Sequence, residues 1–281
     1  MARILLLAHL NCDHVLKIEQ TFKSGKRLEY LDQGQRLGGG GANTGISLVW
    51  AEHNVELIAP LGSDPMSQWL VQQASSYGLD CTKCDRSQES VLPLFLLMDP
   101  TGERTILRPK KNSPKLTNLP DGSDYDTIYI NTHAEFDTSW LNRSMKETCI
   151  VRQFKATPNK QICHYLIASK EEFPDVDNTW EYAKQLAGEH LQACIITQAN
   201  QGARAYSNDG EFTVPAHPCE IINDTTGAGD VYVAGLIHAL LEKKNLEFAM
   251  KDAAIWSNFA LKNFGSIPHE DLKTYLQQKS S

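Results

Sequence analysis

The stretch NDTTGAGDVYVAGL, residues 223–236, is the most informative part of the chain. Its three residues Gly227, Ala228 and Gly229 carry almost no side chain, so the backbone can turn tightly there and approach a ligand closely. From Val231 onward the apolar residues recur at helical spacing, which predicts that a helix begins in this loop. Free N–H groups and the positive end of the helix dipole then face the turn, so the sequence predicts an anion-binding site.

Asp230 follows this loop directly. A carboxylate beside an anion site is unfavourable unless it takes part in chemistry. A general base that removes a proton from an alcohol attacking a phosphoryl group explains both features. Taken alone, the pattern fits a plain helix start equally well, with small residues for the turn and an acidic residue for the dipole. The loop is not a P-loop, because the chain contains no GxxxxGK[ST] pattern.

Short apolar runs alternate with helical patterns along the rest of the chain. The predicted strands are RILLLA (3–8), VELIAPLG (55–62, with its turn), DTIYIN (126–131), HYLIAS (164–169) and ACIIT (193–197). The predicted helices cover Asn43–Ala51, 66–78, 229–244 and roughly 247–264. This alternation predicts an α/β fold with a mostly parallel central sheet.

Two regions, at about 14–37 and 91–109, alternate with a period of two residues instead. The turn DPTG (99–102) joins two of these segments as a hairpin. Such segments predict a small β-sheet that projects from the main layer. One apolar face of that sheet must cover a substrate cleft, a partner subunit or both.

A second glycine cluster, RLGGGGANTG (36–45), precedes the first predicted helix. It does not fit G-x-G-x-x-G in any register, which disfavours a dinucleotide-dependent oxidoreductase. Close approach of the backbone to a polyhydroxyl ligand fits better, with Asn43 as donor and acceptor. His133 lies at the end of a predicted strand, where ligand crevices form, and is interpreted either as a sugar contact or as an ordinary surface histidine.

Composition restricts the partners of the chain. It has 281 residues and a formal net charge of −7, which argues against nucleic acid and acidic membranes as partners. Its seven cysteines are odd in number and scattered, which is typical of reduced thiols in a cytoplasmic protein. The apolar run RILLLAHL is too short to span a membrane.

Two signatures about 185 residues apart resemble those of the PfkB (ribokinase-like) carbohydrate kinase family. The first is GGGGAN (38–43) followed by APLGSDPMSQWL (59–70), and the second is DTTGAGDVYVAGL (224–236). The resemblance implies one three-layer α/β/α kinase domain over residues 1–281, with a mostly parallel central sheet and a small β-sheet lid at about 14–37 and 91–109.

The resemblance also implies roles for individual residues. The implied catalytic groups are Asp230 as the base and Gly227, Ala228 and Gly229 as the anion hole for the transferred phosphoryl group. The implied substrate contacts are Asn11, Asp13, Gly39, Gly40 and Asn43. The implied nucleotide contacts are Thr197, Gly202, Arg104, Thr225, Gly227, Gly229 and Asn258. Glu172 is implied to act indirectly on Mg²⁺, and Asp224 lies where some members hold a monovalent cation.

The sequence departs from the family pattern at three positions: Ser169, Ala199 and Gly40. Ser169 replaces the asparagine of the N-x-x-E motif that ends at Glu172, and Ala199 stands where the family usually has glycine. The segments SKEE and RTIL favour the ketohexokinase-like branch of the family. Gly40 weighs against that branch, which tends to have asparagine there.

The activity implied is transfer of the γ-phosphoryl group of ATP to a hydroxymethyl group of a neutral carbohydrate, either a ketohexose or a pentose. Mg²⁺ is the implied metal, with K⁺ in some members, and the lid often doubles as a homodimer interface. Two alternatives stay open: a nucleoside or phosphosugar kinase on the same fold, and a non-catalytic regulator that binds a sugar or a nucleotide.

Overall fold

A computed structural model describes residues 1–101, 104–110 and 113–280. The strands of its main sheet are β1 (Arg3–Ala8), β4 (Asn54–Ile58), β7 (Thr127–Asn131), β8 (Cys149–Gln153), β9 (Tyr165–Ser169), β10 (Ala193–Thr197), β11 (Ala203–Ser207) and β12 (Gly210–Val214). They form an eight-stranded sheet in the order β12-β11-β10-β9-β8-β7-β1-β4. The pairs from β4 to β10 are parallel, and β11 and β12 add an antiparallel edge. The predicted α/β fold is confirmed.

The apolar run of β1 explains why this sheet lies between two layers. Successive side chains of a strand point to opposite faces of the sheet. Ile4 and Leu6 accordingly belong to one buried cluster, and Leu5 and Leu7 belong to the other. All four side chains are fully buried, so the strand needs helices on both faces.

The helices are α1 (Gly40–Trp50), α2 (Pro65–Ser76), α3 (Thr138–Ser144), α4 (Thr179–Ala187), α5 (Ala228–Leu241), α6 (Leu246–Leu261) and α7 (Asp271–Ser280). Buried residues of α1, α2, α5, α6 and α7 share the first cluster, and those of α3 and α4 share the second. The three layers of the expected architecture are therefore present. Within the described residues no helix combines the length and the apolar character needed to cross a bilayer.

Helix α1 differs from its prediction. It begins at Gly40, three residues before the predicted start at Asn43, and Gly39 is its N-cap. Glycine is a poor helix former, which is why the pattern indicated a later start. The first turn forms nevertheless, because the N–H of Gly41 donates to the carbonyl of His9 at 2.9 Å and ties the helix to the end of β1.

The two regions of period-two alternation form the predicted small sheet. Its strands are β2 (Asn11–Ile18), β3 (Tyr30–Gly38), β5 (Leu94–Met98) and β6 (Arg104–Leu107), in the order β3-β2-β5-β6. We call this sheet the lid. β5 and β6 pair in antiparallel fashion, as the hairpin prediction requires, although Gly102 of the predicted turn lies outside the described residues. Only two residues separate the end of β1 from the start of β2, so the lid is joined to the carboxyl edge of the main sheet.

Candidate active site

Asp230 is the third residue of α5, and three side chains fix its position. The Asn43 amide donates from Nδ2 to Asp230 Oδ2 at 2.7 Å, and the Asn131 amide donates from Nδ2 to Oδ1 at 3.4 Å. The Thr44 hydroxyl donates to the Asp230 carbonyl at 3.0 Å. The start of α1, the end of β7 and the start of α5 therefore meet at one half-buried carboxylate.

Electrostatics adjusts the basicity of this carboxylate. Burial raises the pKa of Asp230, while the hydrogen bond from Asn43 and the positive charge of Lys155 lower it. The negative charge of Glu172 raises it further. A raised pKa makes the ionised carboxylate a stronger base than an exposed aspartate, which suits a group that must accept a proton.

The start of α5 leaves room for a ligand beside Asp230. Gly227 has φ of +80°, and a Cβ atom on it would lie 2.2 Å from the carbonyl oxygen of Ser266, so only glycine fits. A Cβ atom on Gly229 would meet nothing within 4 Å. A helix leaves the N–H groups of its first turn without intrahelical acceptors. At the start of α5 the N–H of Ala228 donates to the Thr225 carbonyl at 3.4 Å. The structure therefore leaves open space at Gly229, within the predicted anion-binding loop.

The glycine run before α1 is packed against protein atoms instead. A Cβ atom on Gly40 would lie 2.3 Å from Nδ2 of Asn131 and 3.1 Å from Oδ1 of Asp230. The Asn131 amide therefore occupies the space that a side chain at position 40 would need. Sequence analysis missed Asn131, although its place at the end of a buried strand is the same signal that directed attention to His133.

Asp13 lies on β2 at the root of the lid, and only 7% of its surface is exposed. It lines a cavity of about 240 Å³ together with lid residues Val15, Leu96 and Met98 and with loop residue Asp224. Burial raises the pKa of Asp13 to about 6; the charge of Arg104 lowers it, and the charges of Asp224 and Asp230 raise it. A carboxylate here is placed to accept hydrogen bonds from hydroxyl groups of a small molecule.

The other predicted substrate contacts are not among the described residues that line this cavity. The side chain of Asn11 lies next to Gly39, where a Cβ atom would come within 3.2 Å of Asn11 Cγ. Oδ1 of Asn43 is buried and has no hydrogen-bond partner among the described residues, so a ligand hydroxyl would satisfy it. His133 is exposed, and its backbone N–H donates to His9 Nε2 at 3.2 Å. The structure shows no hydrogen bond between His133 and the described groups around Asp230.

Arg104 of the lid reaches the loop before α5. Its guanidinium donates to the Thr226 hydroxyl and lies 3.8 Å from Oδ1 of Asp224. Asp224 also accepts from the N–H and the hydroxyl of Thr226, at 2.8 and 2.6 Å. Thr225 is exposed between them. The lid thus brings a positive charge to the predicted anion-binding loop.

The predicted nucleotide residues lie at the carboxyl end of β10 and on α6. Thr197 ends β10, where its hydroxyl donates to the Ala168 carbonyl at 3.2 Å, and Gly202 closes the turn that follows. Ala199 in that turn has φ of +48°, a left-handed conformation that explains the usual glycine. The Asn258 amide donates to the Pro218 carbonyl at 2.9 Å, so it holds the 217–218 segment against α6.

The predicted metal-associated residues fit a metal bound mainly by phosphates. Among the described residues no group of three or more His, Cys, Asp or Glu side chains could hold a metal ion. Mg²⁺ in kinase sites needs only one or two carboxylates, with phosphates and water as its other ligands. Glu172 is exposed three residues after β9 ends, and it acts electrostatically on Asp230. Its carboxylate is therefore available to such a metal.

Solved structures of ribokinases share the fold described above. The ribokinase from Thermotoga maritima has a similar structure, with a TM-score of 0.81, 20% sequence identity and coverage of 99% of this chain and 100% of that one. The ribokinase from Cryptococcus neoformans var. grubii serotype A, in complex with ADP, gives a TM-score of 0.76 at 18% identity, with 99% and 100% covered.

The sequence matches one protein family over most of its length. The model of the pfkB family carbohydrate kinases matches residues 1–272. A nucleoside kinase from Methanocaldococcus jannaschii is 20% identical over 266 residues, which are 88% of this chain and 86% of that protein. The chain belongs to the PfkB family of carbohydrate kinases, and it is an ATP-binding phosphotransferase.

Proposed function

We propose that the protein transfers the γ-phosphoryl group of ATP to a hydroxymethyl group of a neutral carbohydrate, a ketohexose or a pentose. One observation supports this most strongly. The carboxylate of Asp230 is held by the amides of Asn43 and Asn131 in the first turn of α5, directly after Gly229 in the chain. A base that is fixed next to an anion site suits attack of an alcohol on a phosphoryl group.

In this proposal, some residues bind the substrate and others stabilise the transferred phosphoryl group. Asp13 and Asn43 hold sugar hydroxyls, so that the hydroxymethyl group points to Asp230. Asp230 accepts the hydroxyl proton as the acceptor oxygen attacks phosphorus. The N–H groups of the first turn of α5 stabilise the negative charge on the equatorial oxygens. Closure of the lid excludes water, so that the phosphoryl group passes to the sugar and is not hydrolysed.

The nucleotide lies, in this proposal, across the ends of β10 and α6. Thr197 and Gly202 contact it at the turn after β10, and Asn258 flanks the adenine. Arg104 moves from Asp224 to the phosphates when the lid closes, because phosphate is the stronger anion. Mg²⁺, when bound, neutralises phosphate charge, and Glu172 orients it through water. Asp224 and Thr225 are proposed to hold a monovalent cation such as K⁺.

A nucleoside kinase is the second candidate, and the likeness to the nucleoside kinase of Methanocaldococcus jannaschii supports it. A non-catalytic regulator is less well supported, since a protein without catalysis would gain nothing from a carboxylate with a raised pKa beside an anion site.

An assay of ATP consumption across acceptors tests the proposal. Fructose, ribose, other neutral sugars, nucleosides and hexose phosphates are each supplied with Mg²⁺, with and without K⁺. We expect turnover of one neutral sugar, with ³¹P and ¹³C NMR placing the phosphate on its primary carbon. Turnover of nucleosides alone establishes the second candidate. ATP binding without turnover of any acceptor would contradict the kinase proposal.

We also propose that the lid forms a homodimer interface. Large apolar side chains are exposed on it at Tyr30, Leu31, Phe95, Ile106 and Leu107, with exposed fractions between 37% and 58%. A lid that is covered by a second lid removes these side chains from water. Light scattering after size exclusion is expected to give twice the monomer mass, and Leu107→Glu is expected to shift the protein to monomer.

A further inference from the structure

Lys155 lies on the same edge of the main sheet as Asp230, on the side away from the lid root. β8 ends at Gln153 and Lys155 follows two residues later. Its neighbour β7 ends at Asn131, whose amide contacts Asp230, and its neighbour β9 ends three residues before Glu172. Since the carboxyl ends of parallel strands share one edge, the fold brings Lys155 between the two carboxylates of the site.

A buried glutamine fixes the backbone of Lys155. The N–H of Lys155 donates to Oε1 of Gln161 at 2.9 Å, and Nε2 of Gln161 donates to the Lys155 carbonyl at 2.8 Å. Gln161 is fully buried. A buried amide that satisfies both backbone groups of one residue holds it in one place, because breaking either bond would leave a buried polar group unpaired. The backbone of Lys155 is therefore held in one place at the carboxyl edge of the sheet.

The charge of Lys155 acts on the site residues. Burial lowers the pKa of Lys155, whereas the negative charges of Glu172 and Asp230 raise it, and Lys155 in turn lowers the pKa of Asp230. Lys155 is half-buried, yet it belongs to none of the ion pairs formed among the described residues. A partly desolvated lysine that forms no ion pair is available to bind an anion at the predicted anion site.

We propose that the Lys155 ammonium group contacts the phosphoryl group during transfer and is a further catalytic residue of this protein. The inference rests on the proposed phosphoryl transfer. The amides at the start of α5 approach the equatorial oxygens from one side, and Lys155 approaches them from the end of β8. Positive charge from both sides stabilises the transition state more than the ground state, because charge spreads onto these oxygens as transfer proceeds.

The step balances without any additional group. The acceptor oxygen forms a bond to the γ-phosphorus while the bond from that phosphorus to the β,γ-bridging oxygen breaks, and ADP leaves with the electron pair. The acceptor proton passes to Asp230. Lys155 keeps its proton throughout and contributes charge and hydrogen bonds only.

Lys155→Met tests the proposal, with Lys155→Arg as the conservative variant. Removing one group that stabilises the transition state is expected to lower kcat about 100-fold, with KM for ATP and acceptor changed less than about threefold. Lys155→Arg is expected to recover a large part of kcat. Lys160→Met is the matched control, since Lys160 is exposed in the same β8–β9 connection and is expected to retain wild-type kcat.

The pH profile separates a catalytic lysine from a structural one. The titratable groups around Asp230 are Asp13 on β2, Tyr129 on β7, Lys155 after β8 and Glu172 after β9, and Lys155 itself faces the positive charges of Arg108 and Arg152. Lys155 is the cation that lowers the pKa of Asp230. Its loss in Lys155→Met is expected to move the acidic limb of kcat to higher pH, while Lys160→Met leaves that limb in place.

Binding of ADP with aluminium fluoride and Mg²⁺, measured by calorimetry, gives a readout that does not need the natural acceptor. This anion imitates the phosphoryl group in transfer, so Lys155→Met is expected to bind the mixture at least about tenfold more weakly while ADP alone binds equally. Equal affinity for the mixture, or a rise in KM at constant kcat, would overturn the role of Lys155. A wild-type protein that binds neither ATP nor this mixture would overturn the proposed function itself.

Discussion

The two glycine-rich helix starts that meet at Asp230 look alike in sequence and differ in structure. At the start of α5, a Cβ atom on Gly229 would meet open space. At the start of α1, a Cβ atom on Gly40 would collide with Asn131. The glycines before α5 leave room for a ligand, whereas those before α1 let the backbone approach other parts of the protein. Glycine content by itself therefore does not identify the ligand side of a site.

Paired alanine variants test this comparison directly. Gly40→Ala is expected to displace the Asn131 amide from Asp230, lowering kcat at least about tenfold and the free energy of unfolding by about 1–3 kcal/mol. Gly229→Ala is expected to lower kcat as well, because its methyl group enters the phosphoryl space. Its stability is expected to stay equal or rise by about 0.5–1 kcal/mol, since alanine favours the helix. Chemical denaturation and steady-state kinetics of both variants provide the measurement.

Equal losses of stability in Gly40→Ala and Gly229→Ala would contradict the distinction between the two helix starts. Full activity in Gly229→Ala would show that no phosphoryl group uses that space.

Folding also buries the carboxylate of Asp13 at the root of the lid. The pKa of Asp13 rises from 3.8 to about 6 on folding, chiefly through burial. Because the folded pKa lies above the unfolded one, the ionised carboxylate destabilises the protein above pH 6, and this effect disappears below about pH 4. Asp13→Asn is therefore expected to raise the free energy of unfolding by about 1–3 kcal/mol at pH 8 and to change it little at about pH 3.5.

Activity and a control complete this test. Asp13→Asn is expected to lose substrate affinity even as it gains stability, which marks Asp13 as retained for function. Asp32→Asn serves as the control, because the Gly34 N–H and His14 lower the pKa of that exposed carboxyl and no gain is expected. An equal gain for Asp13→Asn at both pH values would refute the linkage to Asp13 ionisation.

The smallest change in stability is expected at Ala199, which stands where the family usually has glycine. Ala199 has φ of +48° in the turn after β10. Glycine relieves this backbone strain, although it also gives the unfolded chain more freedom. Because relief of strain is the larger effect, Ala199→Gly is expected to raise the free energy of unfolding by about 0.5–1 kcal/mol. Thermal unfolding measures it, and KM for ATP is expected to stay within twofold. A lower melting temperature would mean that the backbone at 199 is not strained.

Local patterns were enough to predict much of the fold. The alternation of strands and helices, the period-two lid segments and the loop 227–229 are signals within a few neighbouring residues, and the structure contains all of them. Six elements were not predicted, because their segments are short or carry weaker apolar patterns: β8, β11, β12, α3, α4 and α7. The helix start at Gly40 was also misplaced, because a contact with His9 outweighs the low helix propensity of glycine.

The candidate site was predicted only where a motif marked it. Asp230 and Asn43 belong to two distant glycine motifs, and the structure joins them by a 2.7 Å hydrogen bond. Asn131 and Lys155 belong to no motif, and they reach the site because β7 and β8 end at the same edge of the sheet. Strand order is set by tertiary packing and cannot be obtained from local periodicity.

The central claim is that Asp230 removes the proton from the acceptor hydroxyl. The most direct measurement is the kcat of Asp230→Asn, with the acceptor that the wild-type protein phosphorylates, at saturating ATP and Mg²⁺. The predicted result is a fall of about 100- to 10,000-fold with little change in KM, because asparagine keeps the shape of the side chain but cannot accept the proton. A kcat close to that of the wild type would contradict the claim.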